Sequence, residues 1–296
     1  YGKAADLTDE QIIFDRPRAG LLAETTANIS YLRLVPMSAA ERTQAEADRQ
    51  PGEHRRLTAN FDGGQNTLWA YASDEEMRAE FQALAHADVQ AVLWGCARSF
   101  ATYYPSNVAS YVKWSFGLPG NMRHGRQAIE RQRQSDFDPL KSAIACAREI
   151  GIKIYPQVRM IGEQLPPNHI DYTGPGDYQR QHPEYRCLSP QGRPTRHLSQ
   201  AFPEVRAKYV DLFREWVDDY EADGVCIVFC RSWPYVLFEE PILESFRQQH
   251  GVDMTSLDYF VERVLAHRAT FLTQLLRQTR QMLDEVGERQ GRRLRA

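Results

Sequence analysis

Two adjacent glutamates, Glu239 and Glu240, close the stretch DGVCIVFCRSWPYVLFEEP that runs from Asp223 to Pro241. The stretch opens as an apolar strand, then passes Arg231, Trp233 and Tyr235 before reaching the acids. A carboxylate just beyond the carboxyl end of a buried strand is placed for general acid or base work. The same pair also suits the first turn of a helix opening at Pro241, where the macrodipole favours acids. Asp62, ahead of Gly63 and Gly64, is a second carboxylate that follows a strand, and it equally fits a turn.

The other candidates follow apolar strands in the same way. Asn66 lies after the first strand, and Trp94, Arg98, Tyr103, Tyr104 and His124 lie at or after the second. Gln157, Arg159 and Glu163 close the third, whose loop holds His169, Asp171, His182, Glu184 and His197. Aromatic faces stack on the C–H faces of sugar rings, arginines and carboxylates bind hydroxyls, and a carboxylate pair can cleave a glycosidic bond. Trp94, Tyr104 and Trp233 are the candidate stacking residues, with His124, Gln157, Arg159, Arg231 and Tyr235 as polar contacts. The histidines and acids match no metal-binding spacing, so no metal or other cofactor is expected. The arginines also suit structural ion pairs, and the tyrosines suit loop packing.

The elements that must position these residues repeat strand, helix, strand. LTANF from Leu57 reads as a strand, and SDEEMRAEFQALAHA as a helix with a capping box from Ser73 and Glu76. VQAVLWGC is the near-continuous apolar run of a parallel strand buried on both faces. Asp138 caps and Pro139 opens the helix PLKSAIACAREI, which Gly151 ends. IKIYPQVRMI, the helix PEVRAKYVDLFREWVDDY, the strand GVCIVFCR, the helix EPILESFRQQHG and a long helix over 256–288 follow, and RRLRA opens a further strand. This rhythm predicts a parallel α/β fold. Doubly wound sheets and (β/α)8 barrels both fit, and the lack of a Gly-rich phosphate loop after the first strand favours the barrel.

The 296 residues suit one large domain or about two at ~150 residues each. ANISYLRLVPMS alternates like a strand, so 1–37 read as the tail of a preceding β domain, 38–56 as a short polar helix and linker, and 57–296 as the first half of a barrel. The opening without Met and the late strand-like RRLRA predict a piece of a longer protein. With 42% hydrophobic residues and a net charge of −3, the composition is that of a globular protein with no polybasic block for nucleic acid. No apolar run approaches the ~20 residues that span a bilayer. The five cysteines show no CxxC pair and read as buried free thiols.

In order, SDFDPLKSAIACAREIGIKIYPQVRM, HPEYRCLSPQG and FPEVRAKYVDLFREWVDDYEADGVCIVFCR resemble the glycosyl-hydrolase-like family-10 group of (β/α)8 barrels, over roughly 57–250. The matching positions are Arg159-Met160, His182 to Tyr185, Pro203 to Arg206, and Tyr220 to Val228. The resemblance implies a glycoside hydrolase acting on an oligosaccharide or polysaccharide, with secreted or periplasmic placement. Where that group often carries an Asp in its fourth strand, this chain has Val228. Glu239 is then the expected acid/base, with Glu240 as fallback, Asp62 as partner within the chain, and a further carboxylate expected beyond residue 296. The departure at Val228 leaves open a non-catalytic carbohydrate-binding barrel, and the Arg, Tyr and His content leaves open a polysaccharide lyase.

Overall fold

A computed structural model describes residues 6–12, 30–49, 57–62, 71–85, 87–112, 130–160, 177–229, 235–258 and 260–296. Helix α1 (Ala39–Arg49) starts at a capping box in which Ser38 and Glu41 bond each other's backbone and side chain. Strand β1 (Leu57–Phe61) is followed by α2 (Asp74–Ala85), where Ser73 Oγ accepts from Glu76 N and Glu76 reaches back to Ala72 N. Strand β2 (Val89–Arg98) leads into two short strands, β3 (Ala101–Thr102) and β4 (Ser110–Tyr111). Helix α3 (Pro139–Glu149) is capped by Asp138, which accepts from Leu140 N and Lys141 N.

Strand β5 (Lys153–Arg159) precedes a short helix α4 (Asp177–Gln181) and a hairpin of β6 (Arg186–Leu188) and β7 (Pro194–Leu198). Helix α5 (Pro203–Arg214) runs on into a π-helical turn over Glu215–Asp219. After β8 (Cys226–Val228) come α6 (Glu240–His250), ended by Gly251 in the left-handed region, and the long α7 (Glu262–Gln290).

The strands β1, β2, β5 and β8 are parallel neighbours in chain order, and Gly224 forms a further parallel bridge with Arg295. A doubly wound sheet reverses its order at a switch point, and this one does not among the described residues. Winding in one direction is how a barrel is laid down, but the described strands form an open sheet and not a closed ring. At its far edge the chain passes so close that a Cβ on Gly224 would lie 1.9 Å from the Arg295 carbonyl oxygen. Gly224→Ala is therefore expected to detach residues 294–296 from the sheet, read as faster amide exchange at Val225 and Arg295, whose N–H groups make the bridging bonds.

Outside the barrel rhythm, one expectation fails. Residues 30–38 pair with no strand among the described residues, and Tyr31, Leu32, Leu34 and Val35 are exposed. Without a neighbour, β-formers in alternation have no ladder to join.

The core lies between the sheet and its helices. Trp94, Ile154 and Val158 point to the side where α2 packs on α3, and Phe61, Tyr71 and Phe81 surround Trp94. On α7, Leu275, Met282, Leu283 and Val286 are buried at helical spacing, and that helix packs against α5. A second cluster joins Val236–Phe238 to Ile242, Phe246, Met254, Val264 and Phe271.

Candidate functional site

Side chains alternate along a strand, so the strand registers divide the sheet into a helix-facing side and an opposite side. Gly95 pairs with Gln157, which pairs with Cys226; Arg98 pairs with Arg159, which pairs with Val228. Asn60 and Asp62 fall on that same opposite side of β1, since Phe61 pairs with Trp94. Arg98 joins them only because β2 slips register between Gly95 and Ala97. The extra residue, Cys96, moves Arg98 from the helix-facing side to the other, the re-aiming that bulges perform.

At the carboxyl ends of β1 and β5, Arg159 Nη2 donates to Asp62 Oδ1, and at 3.4 Å to the Asp62 carbonyl. The Arg159 side chain is only 15% exposed while Asp62 is 46% exposed, so the pair presents its carboxylate outward. Gln157 is buried on the same side with Oε1 3.6 Å from Cys226 Sγ. Tyr235 closes this end: its hydroxyl donates to the Met160 carbonyl at 2.8 Å, and its ring meets Phe229 and His197. Val228, adjacent in register to Arg159, leaves Asp62 as the carboxylate that arginine holds.

Several expected roles need correction. Trp94 is fully buried among aromatics on the helix-facing side, so it has no face to offer a sugar. Tyr104 is also fully buried, and its hydroxyl donates to Glu215 Oε2 and accepts from Trp216 Nε1, both at 2.6 Å. It packs the loop onto α5 and stacks on nothing outside.

Glu239 does not face a cleft. It is fully buried, and its oxygens accept from Leu188 N at 2.7 Å, Ser199 Oγ at 2.8 Å and Leu237 N at 2.9 Å. Burial pushes its carboxyl above the usual carboxylate range, against the pull of those hydrogen bonds. Although Glu239 stands at the N-cap of α6, its side chain caps nothing there. Glu240 is exposed in the first turn of that helix, the place where acids suit the dipole. His124, Arg231 and Trp233 lie outside the described residues, as do Asn66, Glu163, His169 and Asp171.

Sequence reading missed Glu215. Its carboxylate is buried and also accepts from Ser106 Oγ and Asn107 N at 2.6 Å, tying the loop after β3 to the π turn. The signal was an acid set three residues after Leu212 in the apolar helical stripe of Tyr209, Leu212, Phe213, Trp216 and Val217. Glu215→Gln replaces charge-assisted acceptors by weaker ones and is expected to cost about 2 kcal/mol in denaturant unfolding.

His182 bonds Glu184 at 2.8 Å through Nδ1 and lies in a ring cluster with Tyr178 and Tyr185. His197 is buried, and desolvation lowers its pKa from 6.5 to about 4. For a base depressed on folding, stability is complete above 6.5 and is lost as pH falls through that window to about 4. Thermal melts across the window should show that loss in the wild type and less of it in His197→Phe. Among the described residues no group of three or more His, Cys, Asp or Glu could hold a metal ion, and no helix is long and apolar enough to cross a membrane.

No family model and no curated protein matches the chain, so the resemblance to the family-10 group rests on its motifs alone. Among solved structures, α-L-fucosidase isoenzyme 2 from Paenibacillus thiaminolyticus is similar at 16% identity and a TM-score of 0.47, over 78% of this chain and 31% of that one. A noncanonic maltogenic α-amylase from Thermotoga neapolitana follows at 12% identity and 0.37, over 68% of this chain and 44% of that one. An inactive mutant of an exo-β-N-acetylglucosaminidase from Vibrio harveyi stands at 13% and 0.37, over 74% and 34%. The chain spans less than half the length of each, and at these scores none of them fixes the fold or the activity.

Proposed function

We propose that this chain forms part of a carbohydrate-active barrel of the glycosidase type, with its sugar-binding face at the strand ends that carry Asp62, Arg159 and Tyr235. One observation carries this reading: the Asp62–Arg159 pair stands at the carboxyl ends of β1 and β5, on the side of the sheet away from the helices. Ligands of parallel α/β sheets bind at that end. A paired carboxylate and guanidinium together accept from and donate to hydroxyls, and Tyr235 supplies an aromatic wall. Because Asp62 offsets the charge of Arg159, the pair favours a neutral glycan over a uronate, and so disfavours the lyase reading.

Most glycosidases hydrolyse the glycosidic bond with two carboxylates at the sugar. Asp62 is one. Glu239 could act as the other only after leaving its three hydrogen-bond donors, which favours a second reading, carbohydrate binding without turnover. Binding and release of reducing ends, measured on one panel of neutral oligosaccharides of glucose, galactose and N-acetylglucosamine plus an oligouronate, separate these outcomes. Binding with new reducing ends supports hydrolysis, and binding alone supports the second reading. Unsaturated products absorbing in the near ultraviolet would support the lyase, and a chain that binds nothing in the panel would sink the carbohydrate reading itself.

A further inference from the structure

Arg159 leaves β5 and reaches Asp62 beyond β1, and β2 lies between those two strands. Its side chain must therefore cross two strand spacings, about 10 Å, over the end of β2. Gly95, which pairs with Gln157 and shares this face, offers no side chain in the way. The next β2 residue on the face is Arg98, turned there by the register slip and paired with Arg159 itself. Two arginines thus stand in neighbouring register at this end, and the nearby carboxylate of Asp62 is held by Arg159.

Arg98 has a different neighbour. Tyr103 N donates to the Cys96 carbonyl at 2.9 Å, which sets Tyr103 just past the end of β1 along the same edge of β2. Arg98 pairs with Ala101, so Tyr103, two residues on, shares its face, and the Tyr103 hydroxyl hydrogen-bonds the Arg98 side chain. Burial raises the Tyr103 pKa above its ordinary 10.0, so that partner is a neutral phenol and brings no counter-charge. Among the described residues no carboxylate pairs with Arg98. A half-buried cation beside a second cation is costly without an anion. An oxyanion placed there relieves that cost, and the planar fork of arginine matches two oxygens of a sulfate or a carboxylate.

We infer that Arg98 is a specificity-determining residue of the sugar site, whose guanidinium receives one oxyanion substituent, a sulfate or a carboxylate, on an otherwise neutral glycan. This inference rests on the carbohydrate reading above. Asp62, 46% exposed on the same face, limits the charge that can enter, because further anions along the glycan would meet that carboxylate. One charged ring among neutral ones therefore fits, and a uronate at every ring does not.

The test uses the whole chain and three forms of the neutral oligosaccharide that binds best in the panel. One is unmodified, one has a single primary hydroxyl sulfated, and one has a single primary hydroxyl oxidised to a carboxylate. Calorimetric titration should show at least one charged form binding about 10-fold tighter than the neutral form, the size of one charge-assisted hydrogen bond. Arg98→Gln should bring the three forms to within about 2-fold of one another, while Arg98→Lys, which keeps the charge and loses the fork, should keep part of the preference. The preference of the wild type should also shrink as salt is raised.

If the wild type binds the neutral form and neither charged form more tightly, or if Arg98→Gln keeps the preference, the role of Arg98 is overturned and the carbohydrate reading stands. If no sugar of the panel binds the wild type, both fall together. Should Arg98→Gln fail to fold, the wild type decides: the Arg98 Nε resonance should shift with the preferred charged form and stay in place with the neutral one. A resonance that ignores the charged form, or answers both alike, overturns the assignment.

Discussion

Glu239→Ala is expected to lower the unfolding free energy by about 3 kcal/mol, among the largest losses a single substitution should produce here. The substitution strands Leu188 N, Leu237 N and the Ser199 hydroxyl, three donors that now share one carboxylate. Each buried donor left unpaired costs roughly 1–3 kcal/mol. Relief of the carboxylate's own desolvation and entry of water offset part of that sum. Amide exchange should quicken first at Leu188 and Leu237, because their N–H groups are released directly.

Glu239→Gln keeps an acceptor oxygen but turns an N–H toward existing donors, so a loss between zero and the Ala value is expected. pH separates the two forms further. A carboxyl raised from 4.5 by burial holds its proton more tightly in the folded chain, so its contribution declines as pH rises from about 4.5 through the folded value. Glu239→Gln lacks that slope. Denaturant melts of both variants and the wild type check these outcomes, and an Ala variant as stable as the wild type would refute the strut assigned to Glu239.

Arg159→Ala is expected to reduce sugar affinity by roughly 10- to 100-fold, with a stability loss of about 1–2 kcal/mol. The affinity figure follows from losing a charged hydrogen-bonding partner and its hold on Asp62, at about 1.5–3 kcal/mol. The ion pair supplies little of that stability loss, since Asp62 is 46% exposed, and the packing of the Arg159 side chain, only 15% exposed, supplies the rest. Asp62→Asn should weaken binding less, since the amide still accepts and donates but no longer orients the guanidinium by charge. Calorimetric titration of the same oligosaccharide into each variant measures all three. If Arg159→Ala bound sugar like the wild type, the strand-end face would not be the site.

Much of the scaffold was legible along the chain because its signals are local. LTANF forms β1 to the residue, the Asp138–Pro139 start and the Ser73–Glu76 box open their helices, and Gly251 ends α6. The three helix signals depend on atoms within four residues, while β1 also needs β2 as its pairing partner. Arg159 and Asp62 were named from their places after strands, and the structure brings them into contact although 97 positions separate them. Tyr235 was named too, and lies at the same end.

The misassigned residues depended on partners distant in sequence. Trp94 reads as a strand-end aromatic, but alternation on β2 turns it to the helix-facing side. Tyr104 reads as a loop aromatic until Glu215, 111 residues away, accepts its hydroxyl proton. No composition or period announces the π turn that carries Glu215, nor the register slip that turns Arg98 to the face of Arg159.

Glu239 shows the division most sharply. Sequence alone determined that an acid would stand where β8 runs out and α6 begins, since the apolar run and Pro241 bracket it. Its surroundings were decided by tertiary structure, through Leu188 and Ser199, 51 and 40 residues away. A carboxylate's chemistry is set by which donors and how much water surround it, and those are supplied by segments that meet only after the chain has folded. Order and type of elements are therefore written locally, whereas the role of each polar side chain is written in the packing.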